Sequence, residues 1–134
     1  MANLVYNEGA ESLLDGSIVW ASDTIKARLV ASSVTPNKDD TVMTGYTAIG
    51  TDQTLTTKTR TKDTANDRIV YDSDNVAYTA VAGGSTVGWV TIFKFVTNDA
   101  DSIPIATLDV TDTATNGGDI NITFSADGIF YLQQ

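Results

Sequence analysis

The stretch Val87-Gly88-Trp89-Val90-Thr91-Ile92-Phe93-Lys94-Phe95-Val96 decides the fold. Its residues are β-branched or aromatic almost throughout, which suits a pleated, packed surface rather than a helix. Apolar side chains fall at both odd and even positions. Side chains alternate between faces along a strand, so both faces of this one are apolar, and it is predicted to lie in the centre of a sheet. Lys94 lies on the face opposite Trp89, which directs the side carrying Trp89, Phe93 and Phe95 inward. The run is too short to cross a bilayer, which takes about 20 apolar residues.

Working outward, turn signals divide the rest of the chain into short extended segments. Gly83-Gly84 precedes the central strand and residues 98–102 follow it. Residues 103–110 form the next strand, with Pro104 near its start, where a missing N–H is tolerated. Asn116-Gly117-Gly118 turns into residues 119–125, with Ile120, Ile122 and Phe124 on one face. Ala126-Asp127-Gly128 leads to a closing strand at 129–132. Upstream, strands are predicted at 18–20, 24–31, 53–62, 68–71 and 75–81, with a loop over 33–50. The one helix is expected at 7–16. There Asn7 offers a cap, Glu8 and Glu11 favour the positive end of the dipole, and Gly16 is a stop. Tyr6, Ala10, Leu13 and Leu14 share its apolar side. Eight or so short strands give an all-β fold, a β-sandwich or jelly-roll-like domain with one short N-terminal helix. At 134 residues the chain reads as one domain, with residues 1–16 as an arm plus helix.

Composition narrows the chemistry. The chain has no His and no Cys, and its 17 acidic against 8 basic residues give a net charge of −9. Ser–His and Cys–His nucleophiles are therefore ruled out, as are disulfides. The charge disfavours nucleic acid, whose binding needs Lys and Arg on phosphates, and anionic membranes. The N-terminus lacks a basic region leading into an apolar stretch, so no secretory signal is expected. Asp72-Ser73-Asp74-Asn75 and Asp99-Ala100-Asp101 are the best places for a hard cation. The first has neither the glycine nor the closing glutamate of a calcium loop, and both read as polar turns. No catalytic residue, metal or cofactor is expected.

Two patterns point to binding. Lys58, Arg60 and Lys62 alternate with threonines, which gathers three of the eight basic residues on one strand face. Such a stripe either docks on an acidic neighbour or guards an edge strand against wrong pairing. The aromatic row Trp89, Phe93, Phe95 is either core or, if exposed, a carbohydrate-binding platform, and aromatic rows of small domains are usually core.

Three segments then carry a resemblance: Ala2-Asn3-Leu4-Val5-Tyr6-Asn7-Glu8-Gly9, then Trp20-Ala21-Ser22-Asp23-Thr24-Ile25-Lys26-Ala27-Arg28-Leu29-Val30, and Asn116-Gly117-Gly118-Asp119-Ile120-Asn121-Ile122-Thr123-Phe124 with Gly128-Ile129-Phe130. Together they resemble small structural proteins encoded among the head and capsid genes of tailed bacteriophages. The resemblance implies a non-enzymatic virion component made in the host cytoplasm. The expected role is a cement or decoration protein on the capsid surface, with the major capsid protein as partner and a homo-oligomer, a trimer first, as its form. A tail or head–tail connector role is the near alternative, and a carbohydrate-binding or adhesin module is the second. Asn3, Leu4, Val5 and Tyr6 of the arm, with Lys58, Arg60 and Lys62, are the candidate partner contacts.

Overall fold

A computed structural model describes residues 3–133. In chain order the elements are β1 (Leu4–Val5), α1 (Asn7–Asp15), β2 (Ile25–Ala31), β3 (Ile49–Thr54), β4 (Thr59–Asp63), β5 (Arg68–Asp72), β6 (Val76–Tyr78), β7 (Thr86–Lys94), β8 (Ile103–Ala114), β9 (Ile120–Ile122) and β10 (Phe130–Gln133). The fold is all-β with one short N-terminal helix, as the patterning predicts. Every strand pairing is antiparallel.

The largest sheet has the order β1-β8-β7-β2-β3, with β7 in the middle. A three-stranded sheet, β10-β5-β4, and a two-stranded one, β6-β9, complete the fold. Because β7 is apolar on both faces, the large sheet is buried on both. Val87, Val90 and Ile92 join the main core with Leu29, Ile105, Tyr71 and Phe130. Trp89 and Phe93 join a second core with Tyr6, Val30, Met43 and Tyr46, and Phe95 packs against it. Residues of the long connection between β2 and β3 supply part of that second core. The buried Thr91 and Thr107 hydroxyls hydrogen-bond to each other at 2.6 Å across β7 and β8.

Several local expectations need correction. Residues 18–20 form a turn rather than a strand. Val19 N–H donates to the Asp23 carboxylate at 2.8 Å, and the N–H groups of Ser22 and Asp23 both donate to the Val19 carbonyl. The same turn sinks Ile18 and Trp20 into the core. The segment 53–62 is two strands, not one. The chain crosses between sheets at residues 55–58, with Leu55 buried and Thr57 at φ 53°. The Asp74 carboxylate takes hydroxyl bonds from Thr56 and Thr57 and steadies this crossing.

The helix is where the sequence places it, and Gly16 stops it at φ 85°, a left-handed conformation that suits glycine. Its cap and its buried face differ from expectation. Tyr6, not Asn7, is the N-cap residue, and no side chain caps the helix. The Asn7 amide instead donates to Asp39 at 2.7 Å. Gly9 and Ser12 form the buried face, while Leu14 is 80% exposed. Gly9 sets this arrangement, because α1 lies so close to β8 that a Cβ there would meet the Ile105 Cα at 2.6 Å.

Candidate functional site

The arm expected at the N-terminus is partly a strand. Leu4 and Val5 pair with Thr107 and Ala106 of β8, and the Asn3 side-chain oxygen accepts the Asp109 N–H. Residues 1 and 2 lie outside the described residues. Tyr6 presents no surface: it is fully enclosed, and its hydroxyl donates to that of Tyr46 at 2.9 Å. Tyr46 in turn donates to Asp40 at 2.6 Å. Burial raises the pKa of both phenols, so they stay neutral donors in this chain of bonds. Of the arm's candidate contacts, Asn3, Leu4 and Val5 remain at the surface.

The basic stripe is also divided. Lys58 sits in the crossing before β4 and donates its ammonium to the Asp23 carbonyl. Burial lowers its pKa, against the opposing pull of Asp23. Of the stripe's three cations, Arg60 and Lys62 lie on β4 and stand exposed, opposite Tyr71 and Ile69 of β5 in register. Tyr71 and Ile69 belong to the main core, so the two cations overhang the core on the inward side of an edge strand. Charges placed that way discourage edge-to-edge pairing with an identical strand.

The aromatic row is core. Trp89 is 5% and Phe93 0% exposed, and the Trp89 indole N–H donates to the Val34 carbonyl at 3.0 Å. Trp20, Tyr71 and Phe130 make a second aromatic cluster, with the Tyr71 and Phe130 rings stacked 4.7 Å apart. Of the side chains weighed for a cation, four are held by contacts within the chain. Asp72 accepts the Ser73 N–H, Asp74 the two threonine hydroxyls, and Asn75 the Phe124 N–H. Asp99 binds Arg28.

Arg28 is the functional-looking residue that sequence reasoning missed. It lies on β2 between Ala27 and Leu29, 6% exposed, and all five of its N–H donors are used. Nε and Nη2 grip Asp52 at 3.0 and 2.8 Å. Nη1 and Nη2 grip Asp99 at 3.0 and 2.9 Å. Nη1 also donates to the Tyr46 carbonyl at 2.8 Å, and the guanidinium carbon stands 4.9 Å from the Phe93 ring centre. Burial pulls its pKa down, and the bonds and charges of Asp52 and Asp99 more than offset that, so the net shift is upward. This is a permanent cation, and its work is structural. It ties the β2–β3 connection and residues 97–102 to the large sheet. The only signal in the sequence is a lone arginine in the otherwise apolar run Ala27-Arg28-Leu29-Val30.

Two adjoining grooves open on the surface beside the arm. One, of about 620 Å³, runs between β1 and β10 and is lined by Asn3, Leu4, Leu108, Asp127 and Tyr131 among others. Next to it, and sharing Val5 and Tyr131, lies a groove of about 430 Å³ bounded by Ala10, Leu14, Ile69 and Leu132. Leu14 at 80% and Tyr131 at 44% are two of the largest apolar side chains left in contact with water. Arg68 stacks over the Tyr131 ring at 4.7 Å and pairs with Asp63 at 2.8 Å. The lining offers apolar contact and strand-edge hydrogen bonding. Among the described residues no group of three or more acidic side chains is placed to hold a metal ion, and no helix is long and apolar enough to cross a membrane.

No protein-family model, no curated protein and no solved structure matches this chain.

Proposed function

We propose that this chain is a non-enzymatic docking protein and, within that class, a cement protein on the outer surface of a tailed-phage capsid. The observation that carries the docking reading is the apolar face made by α1, β1 and β10. There Leu14, Val5, Tyr131 and Leu132 border an open groove that brings together Leu14 and Tyr131, two of the exposed large apolar side chains, while Val19 and Val96 lie outside it. Exposed apolar patches rimmed by polar residues mark contact surfaces more often than chance. The capsid assignment rests on the three segments that resemble phage head proteins.

A cement protein acts through binding energy. By occupying sites that exist only on the assembled shell, it raises the free energy of separating the subunits, through mass action on the bound state. The domain suits that task, since no buried side-chain nitrogen or oxygen among the described residues lacks a hydrogen-bond partner, which favours one rigid shape.

The test adds purified protein to undecorated capsids of the parent phage. Binding at symmetry-related sites and a higher temperature of capsid disruption are expected. Leu14→Asp should abolish binding and leave the protein's own melting within about 0.5 kcal/mol, the usual range for surface changes. Failure of the native protein to bind empty sites would overturn the assignment. Density at one vertex or along the tail in a virion reconstruction would transfer the protein to the connector or tail.

A further inference from the structure

Two unpaired strand edges of matching length and opposite charge occur in this fold. Among the described residues β4 is paired on one edge only, with β5, and Thr59, Arg60, Thr61 and Lys62 are all exposed. Its side chains reach solvent although Arg60 and Lys62 share the inward face with Tyr71 and Ile69 of β5. The second edge is the far end of β8. β1 covers only Ala106 and Thr107 there, so residues 110–114 have no strand partner on that side among the described residues. This edge faces β9, which among the described residues pairs only with β6, across a groove of about 330 Å³ lined by Val110, Thr111, Thr113, Ile122 and Thr123.

The sequences of the two edges complement each other. β4 reads Thr59-Arg60-Thr61-Lys62-Asp63, and the end of β8 reads Val110-Thr111-Asp112-Thr113-Ala114. Each spans about 16 Å at roughly 3.3 Å per residue. Arg60 and Lys62 are exposed cations, and Asp112 is an exposed anion. In the antiparallel register that sets Thr61 opposite Thr113, Lys62 stands opposite Asp112 and Arg60 diagonal to it, within reach of a long side chain. Pairing β4 with another β4 would instead set Arg60 against Lys62, and directly opposed like charges are destabilising.

We propose that copies of this chain associate head to tail, β4 of one copy seating in the β8–β9 groove of the next. The two surfaces are different, so successive head-to-tail contacts are heterologous and build a ring when the rotation between copies closes. The inference concerns the purified chain alone. Its outcome is therefore separate from that of the capsid experiment, and either can fail without the other.

Light scattering coupled to size exclusion, with native mass spectrometry, provides the test. The native chain should form a discrete oligomer. The variants Arg60→Glu/Lys62→Glu and Asp112→Lys should each associate at least tenfold more weakly, because each sets like charges across the contact. Mixed in equal amounts they should associate again, in complexes holding both, since the exchanged charges match. Because the chain has no cysteine, a cross-link gives an independent readout. Thr61→Cys mixed with Thr113→Cys should oxidise to the mixed disulfide faster than either forms its own, as a bridge needs Cα atoms within about 7 Å. A native chain still monomeric at about 1 mM, which puts any Kd above that value, overturns the proposal. So does a mixture whose components stay apart, or a cross-link that forms no faster than the self-pairs.

Discussion

Replacing Arg28 tests whether the second core depends on one buried cation. Arg28→Met keeps the apolar stem against Phe93 and removes the guanidinium. It leaves Asp52, whose side chain is 16% exposed, without its bidentate partner, and it orphans the Tyr46 carbonyl. Removing one member of a buried ion pair costs about 3–5 kcal/mol. The Asp99 share must be discounted, because that side chain is 48% exposed and exposed pairs contribute only about 0–1 kcal/mol. The expected loss is therefore about 3 kcal/mol, the low end of the buried-pair range. For a chain of this length that lowers the melting temperature by roughly 10 °C. Asp52→Ala should cost about 2 kcal/mol, since it strands a mostly buried cation. Asp99→Ala should cost about 1 kcal/mol or less. Arg28→Lys should recover less than half of the loss, since an ammonium cannot reproduce the planar fork. Urea unfolding at constant m-value measures each change. Hydrogen exchange at the Met43 amide, which bonds to the carbonyls of Asp99 and Ser102, reports whether the connection lifts first. The reasoning is refuted if Arg28→Met loses less than about 1 kcal/mol, or if Asp99→Ala costs as much as Arg28→Met.

Gly9→Ala should destabilise by about 1–3 kcal/mol through overpacking against Ile105 and Pro104. The same change in an open helix would gain up to about 1 kcal/mol, so thermal melting decides by its sign. Acid should weaken the fold through Asp23 and Asp63. The Val19 N–H, then Lys94, lowers the Asp23 pKa, and Asn66, then Arg68, lowers that of Asp63. A carboxyl with a depressed folded pKa stabilises the native state above its unfolded value near 3.9 and loses that contribution as pH falls through the folded value. Melting temperature should accordingly hold near pH 6 and drop below about pH 4. Asp23→Asn should flatten part of that drop, and an unchanged profile would show that Asp23 does not contribute.

The legible parts of the fold are those decided by local chemistry. β7 announces itself because its short apolar run is β-branched and aromatic and is bounded by turn signals, which favours a buried strand over a buried helix. Glycine and asparagine mark the turns at 83–84 and 116–118, where Gly84 and Gly117 take φ 105° and 87°. Gly16 marks the end of α1. The misreadings have one common cause: a long-range contact overrode a local pattern. Ile18 and Trp20 look like strand residues because they are apolar and large, yet both are drawn into the main core, where the ring partners of Trp20 are Tyr71 and Phe130, more than fifty positions away. Thr57 continues an alternating run, but Leu55 must turn into the core. Leu14 falls on the helix's apolar side by spacing, yet Gly9 is where the helix touches the sheet.

The candidate site shows the same limit from the other direction. Lys58, Arg60 and Lys62 share a strand face by alternation, and nothing in their spacing says that the chain turns between Lys58 and β4. Arg28 has no pattern at all, because its significance comes from Asp52 and Asp99, 24 and 71 residues away. The apolar surface near Leu14 is assembled from α1, β1 and β10, which come from both ends of the chain. A docking surface of that kind has no sequence motif to find. It exists only once β1 has closed the edge of the large sheet and β10 that of the small one, leaving a groove between the two.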